Sequence, residues 1–184
     1  MIWLFASKRR LGLVACYRPG AKNNEADTLS RHFSDSSDYS LSQVVTNSLF
    51  AKWGDPVVDL IASRWNRKCE KFFSFLPDPG ASAVNAFAQE WSEIHGYAFP
   101  PFNMVGSVIK KTLREKARLI LVCPRWESQS WWPLLIRHGK EITELEMRSD
   151  LLVSPTGSPH PCLERTSFHM IACIISVSTG EAMA

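Results

Sequence analysis

The sequence predicts an α/β fold, a partly parallel sheet covered by helices, and three features predict it. A strand-like run at 97–99, a helical stretch at 104–117 and a second apolar run at 119–123 follow one another as strand, helix, strand, the spacing of a crossover unit that joins parallel neighbours. Val105, Val108, Ile109 and Leu113 fall on one side of that helix and give it a face to lay on a sheet. Hydrophobic residues make up 45% of the 184 and charged residues 21%, with seven Trp and ten Phe, which is enough apolar volume for one core.

The elements follow in order. Residues 1–7 are apolar but precede Lys8, Arg9 and Arg10, the reverse of a secretory signal, so an intracellular protein of nucleus or cytoplasm is expected. A strand is expected at 11–17, a turn at Arg18, Pro19 and Gly20, and a short helix at 25–31. Residues 32–41 are rich in Ser and Asp, the composition of an exposed linker before a main domain at 42–177 and a tail at 178–184.

From Ser42 the pattern is helical, with Val45, Leu49 and Trp53 four apart and Gly54 as the stop. A short strand at 57–61 comes next, interrupted by Asp59, and Pro77, Asp78, Pro79 and Gly80 make a turn. Pro100 and Pro101 close the strand at 97–99. A helix at 130–138 places Pro133 in its first turn, where the missing N–H does no harm. Residues 154–161 hold three prolines and a glycine and read as loop. The final apolar run, 168–177, contains His169 and falls far short of the roughly 20 residues that span a bilayer, so it reads as a buried strand and no membrane partner is expected.

Composition narrows the chemistry further. The formal net charge of +3 is spread along the chain, so it singles out no binding surface. Cys16, Cys69, Cys123, Cys162 and Cys173 include no CxxC pair, and no metal site or disulfide framework is expected; His160 and Cys162 lie close together but lack further ligands.

Residues 15–31, ACYRPGAKNNEADTLSR, resemble the end of the ribonuclease H domain of retroelement polyproteins. On that resemblance 1–31 is a ribonuclease H remnant and Asp27 is its last metal-binding carboxylate, with Tyr17 where the family commonly has histidine. Two-metal cleavage needs several carboxylates to hold two cations about 4 Å apart, so Asp27 alone implies no nuclease activity.

A second resemblance covers 53–135, through VDLIASRWN (58–66), PDPGASAVNAF (77–87), Trp91, YAFPPF (97–102), LVCPRW (121–126) and QSWWPLL (129–135). These strings resemble the region after ribonuclease H in DIRS-type, tyrosine-recombinase retrotransposons, and their order is similar to that of phage-type DNA adenine methyltransferases. Residues 151–177 resemble the stretch before the recombinase of such elements. The resemblance implies a Rossmann-like, methyltransferase-type sheet with flanking helices. It also places Phe99, Pro100, Pro101 and Phe102 on the motif that grips the adenine amine.

Phe99 stands where the family has a polar side chain, and a phenyl ring offers no lone pair to the amine. An unpaired buried donor costs roughly 1–3 kcal/mol, so little methyl transfer is expected. No GxG loop accompanies the motif, and no cofactor is expected; adenosylmethionine is the cofactor if the domain is active. Asp59 is the acid placed at a strand end to touch a nucleoside, with a plain capping role as the alternative.

Lys110, Lys111 and Arg114, continued by Lys116 and Arg118, form the dense basic stretch that can track phosphates, although Lys111 and Glu115 also have i,i+4 spacing for a solvated charged face. Trp126, Trp131 and Trp132 offer rings for stacking on bases or, alternatively, for the core. The expectation is a retroelement polyprotein fragment, catalytically inactive, with DNA or RNA and other parts of the polyprotein as partners. An active adenosylmethionine-dependent adenine methyltransferase and a host-recruited interaction domain are the alternatives.

Overall fold

Unbroken apolar runs make the two longest strands. RLILVCP and MIACIIS have no polar alternation because both faces of each strand are covered, as in the interior of a sheet between helical layers. The structure, a computed structural model, describes residues 38–176; the elements expected at 11–17 and 25–31, and Asp27, lie outside the described residues.

Chain order is β1 (Ser40–Leu41), α1 (Gln43–Trp53), β2 (Val58–Asp59), β3 (Phe73–Ser74), β4 (Ala83–Val84), β5 (His95–Ala98), α2 (Val105–Arg114), β6 (Arg118–Pro124), α3 (Trp132–His138), β7 (Gly139–Glu144), β8 (Leu152–Val153) and β9 (Met170–Ser176). The main sheet has five strands in the order β2-β5-β6-β9-β7. Strands β2, β5 and β6 are parallel, and β9 runs antiparallel to both β6 and β7. Strand β3 pairs in parallel with β4, and an isolated parallel bridge from Asp59 to Phe72 attaches this ribbon to the free side of β2.

Both faces of the sheet carry a core. Leu119, Leu121 and Cys123 of β6 and Ile171, Cys173 and Ile175 of β9 pack with Val105, Val108 and Ile109 of α2 and Leu135 of α3. Their neighbours Ile120, Val122, Met170, Ala172 and Ile174 point the other way, onto Leu49 and Trp53 of α1 and onto Leu41 and Leu152 of the β1–β8 pair. The period-2 alternation of a strand thus feeds two apolar layers from one continuous run.

Several expectations shift. The helix expected at 104–117 stops at Arg114, because Lys116 turns to φ +55° and the N–H of Ala117 reaches back to the Thr112 carbonyl at 3.0 Å. Helix α1 ends as expected at Gly54, whose φ of +89° suits a residue without Cβ. Part of the stretch read as linker is structural: Ser40 and Leu41 pair with Val153 and Leu152, and Leu41 is fully buried.

Strand β7 has no apolar run to announce it. GKEITE is an edge strand with one mostly exposed face, and a register shift between Lys140 and Thr143 coincides with φ +50° at Glu141. No helix among the described residues is long and apolar enough to cross a membrane.

Candidate functional site

The chain leaves β2 toward β3 on one side and returns to β5 on the other, so the carboxyl ends of β2 and β5 flank a point where the winding reverses. Sheets of this kind place their ligands in the crevice outside such a point. Here the crevice is bounded by Asp59 and Ile61 from β2 and its exit, Tyr97 and Phe99 from β5 and its exit, Asn66 and Lys68 from the loop after β2, and Tyr39 and Leu41 from the chain before α1. The free space among them is about 10 Å³, room for about one water.

Asp59 faces into this crevice but its oxygens are engaged. The Lys68 N–H donates to Oδ2 at 2.9 Å and the Ile61 N–H approaches Oδ1 at 3.4 Å, so the carboxyl holds the two ends of the 60–68 loop together. Burial pushes its pKa up to about 7, against the opposing pull of these two N–H groups and of the Lys68 charge. Burial also lowers the Lys68 ammonium, and it raises the Cys69 thiol to about 12 with help from Asp59 and Asp55. Of the two roles open to Asp59, the geometry is that of a loop cap.

Tyr97 alternates with Ala98 on β5, and its ring packs edge-on to Phe50 at 5.4 Å. Its hydroxyl is buried with no partner in hydrogen-bonding geometry. Thr46 lies close enough to influence it, but the Thr46 hydroxyl donates to the Ser42 carbonyl at 3.0 Å.

Beyond β5, Pro100 is buried and Pro101 exposed, and the Pro101 carbonyl accepts from the Met104 N–H at 2.8 Å, closing a 3₁₀ turn at Phe102–Met104. Phe102 lies against Trp126 at 5.2 Å between ring centroids, with His160 and Phe168 each at 6.0 Å and Phe99 at 6.3 Å. Both Phe rings are half-buried against the core on the α1 side of the sheet. His160 is held by a loop rather than by any cluster of ligands: its Nδ1 accepts from the Cys162 N–H at 3.0 Å. Among the described residues no group of three His, Cys, Asp or Glu side chains is placed to hold a metal ion.

No protein-family model matches the sequence, and no characterised protein matches it.

The remaining candidates do not converge on the crevice. Lys111 is 4% exposed; its Nζ meets Glu115 Oε1 at 2.5 Å and sits 5.1 Å from the centre of the Trp91 ring. It is therefore withdrawn from any phosphate-tracking surface, a correction that follows from the cation being sandwiched between a carboxylate and an indole. Lys110, Arg114 and Lys116 remain exposed toward the carboxyl end of α2, whose amino end is the one that follows the Phe102–Met104 turn.

Trp131 is also withdrawn: it is buried, and a Cβ on Gly106 of α2 would come within 3.2 Å of its side chain. Trp132 stays half-buried over a groove of about 240 Å³ with Ile136 and Ile142. The sequence reading missed Tyr39, Asn66, Lys68, Tyr97, His160 and Phe168 as crevice or ring-cluster residues. Only Tyr97 carried a signal, because it lies three residues before Pro100 in the run that leads into the double-proline turn.

Proposed function

We propose that residues 42–177 are a non-catalytic, methyltransferase-like domain of a DIRS-type retroelement polyprotein that holds nucleic acid without modifying it. The observation that carries this reading is the strand order. With the ribbon attached through its bridge, the sheet runs β4-β3-β2-β5-β6-β9-β7, and β9 alone is reversed. A Rossmann-like sheet of the methyltransferase type has this plan, one reversed strand entered near one edge, and the double-proline turn stands at the winding reversal where the resemblance puts its base-gripping motif.

The residues present do not fit adenosylmethionine. The crevice holds about 10 Å³, and the loop after Asp59 is closed by the acid's own hydrogen bonds instead of opening a glycine-lined bed. At the turn, the Phe99 ring packs toward Phe102 and supplies no acceptor for an amine. No methyl-transfer step is therefore assigned to any residue.

A holding role draws on Lys110, Arg114 and Lys116, which are free of the burial that takes Lys111 away. Exposed cations that displace condensed counterions give an affinity that falls with salt. The test is a gel shift of a labelled single-stranded probe at rising salt, with the chain intact and with Lys110, Arg114 and Lys116 all changed to Gln. Salt-sensitive binding that weakens in the triple variant is the expected result, whereas an unchanged shift sinks the assignment of these residues.

A further inference from the structure

The crevice at the winding reversal lies where a sheet of this topology takes its ligand, yet it is nearly full. What fills it is the chain itself. The Asp38 carboxylate accepts hydrogen bonds from the Ser63 hydroxyl and from the Asn66 side-chain amide, so it is tied to the loop after β2. Tyr39 lines the remaining cavity and turns its ring edge-on to His160, with centroids 4.3 Å apart. Ser40 and Leu41 then leave along β1, a ladder two residues long against β8.

Among the described residues, the segment is held by the Asp38 hydrogen bonds, the Tyr39–His160 ring contact, the β1–β8 ladder and the buried Leu41. A two-residue ladder on its own has little strength, and the Asp38 bonds are made to a loop. Behind the segment, Tyr97 lines the same crevice, and its buried hydroxyl, beside Thr46, makes no well-formed hydrogen bond. Buried hydroxyls are nearly always satisfied, so this one marks a place suited to a polar group that Tyr39 does not provide.

We infer that residues 38–41 are an internal plug, with the Tyr39 ring standing where a flat, hydrogen-bonding ligand of the nucleoside class would lie. The inference rests on the methyltransferase-like reading of the sheet and explains why that cofactor type finds no room. A plugged site is a population problem: ligand and plug compete, and apparent affinity is reduced by the fraction of time the plug is out.

The experiment uses the full-length chain with Asp38→Ala and Tyr39→Ala combined, titrated with adenosine by calorimetry beside the unaltered protein. The unaltered chain is expected to give no saturable heat up to millimolar adenosine, and the folded variant to saturate at a concentration at least about tenfold lower. Equal affinity in the two proteins overturns the plug, as does a folded variant that binds nothing. Phenol serves as a control. If it binds the variant as tightly as adenosine does, the vacated space is a plain hole and the nucleoside assignment falls.

Should the double variant lose its cooperative melt, Asp38→Ala alone is read by amide exchange at Ser42, whose N–H donates to the Leu151 carbonyl at 2.8 Å. Several-fold faster exchange is expected; an unchanged rate overturns the plug. None of these readouts involves Lys110, Arg114 or Lys116. A failed probe shift therefore removes the nucleic-acid role while leaving the adenosine result standing.

Discussion

Asp59 and Glu115 are two acids drawn out of solvent by the same fold, and they are held in opposite states. Around Asp59 the donors are backbone N–H groups, the nearby Lys68 is offset, and burial wins: the acid is lifted to about 7 and is neutral for much of its range. Around Glu115 burial also pushes upward. There, however, the Lys111 and Arg114 side chains and the Trp91 N–H at 2.7 Å prevail, and the group is held down to about 2. The contrast teaches that desolvation alone does not decide a carboxyl's charge; a cation brought into direct contact does.

The largest effect expected is from Glu115→Gln. It leaves the Lys111 ammonium buried against Trp91 without its counter-charge, and removing one partner of a buried pair costs about 3–5 kcal/mol. Urea unfolding measures it; a loss under about 1 kcal/mol would mean that Lys111 simply swings out to water. Combining Lys111→Met with Glu115→Gln should recover much of that loss, since the isolated charge is gone and the Gln oxygen can still accept from Trp91. Additive losses would break the pairing argument.

The two acids also oppose each other in pH dependence. Glu115, depressed in the folded state, contributes stability that is present above its ordinary pKa of 4.5 and is lost as pH falls toward 2. Asp59, raised in the folded state, works the other way: the folded chain binds its proton more tightly, so stability is lost as pH rises from 3.8 through about 7. Together they favour a stability maximum near pH 4, between the ordinary values of 3.8 and 4.5 from which the two groups depart. In Asp59→Asn, which imitates the neutral acid, the decline of melting temperature between pH 4 and 7 should flatten. A decline as steep as in the unaltered chain would show that Asp59 is ionised throughout.

The smallest effect belongs to Arg114→Ala. Its side chain is 70% exposed and touches the same carboxylate as Lys111, so solvent screening leaves it worth about 0.5 kcal/mol or less. A larger loss in the same urea assay would shift the credit for holding Glu115 from the buried cation to the exposed one.

How much of this was legible in the sequence follows from what each element needed. Strands β6 and β9 and helix α2 announced themselves through apolar runs and one-sided spacing, and the crossover that places β5 beside β6 followed from them. Strand β7 did not, because an edge strand with polar residues is held by pairing to β9 and not by its own composition. Strands β1 and β8 pair from distant parts of the sequence, and they and β3 and β4 are each two residues long, too short to show a local pattern.

The Lys111–Glu115 spacing was visible as an i,i+4 pair. Its burial was not, since that depended on Trp91 arriving from a loop 20 residues upstream of Lys111. Asp59 was visible as a strand-end acid, and its capping partner Lys68 became visible only once the loop closed.

Strand β9 carries a consequence for biosynthesis. It is the last described strand made, yet it lies between β6 and β7, both translated earlier. While the ribosome is still adding residues 170–176, β7 has no hydrogen-bonding ladder to join and the β6 border stays open, an adhesive margin of the sort that recruits chaperones or neighbouring nascent chains. A released chain ending at His169 should therefore be far more protease-sensitive at β7 than the full chain.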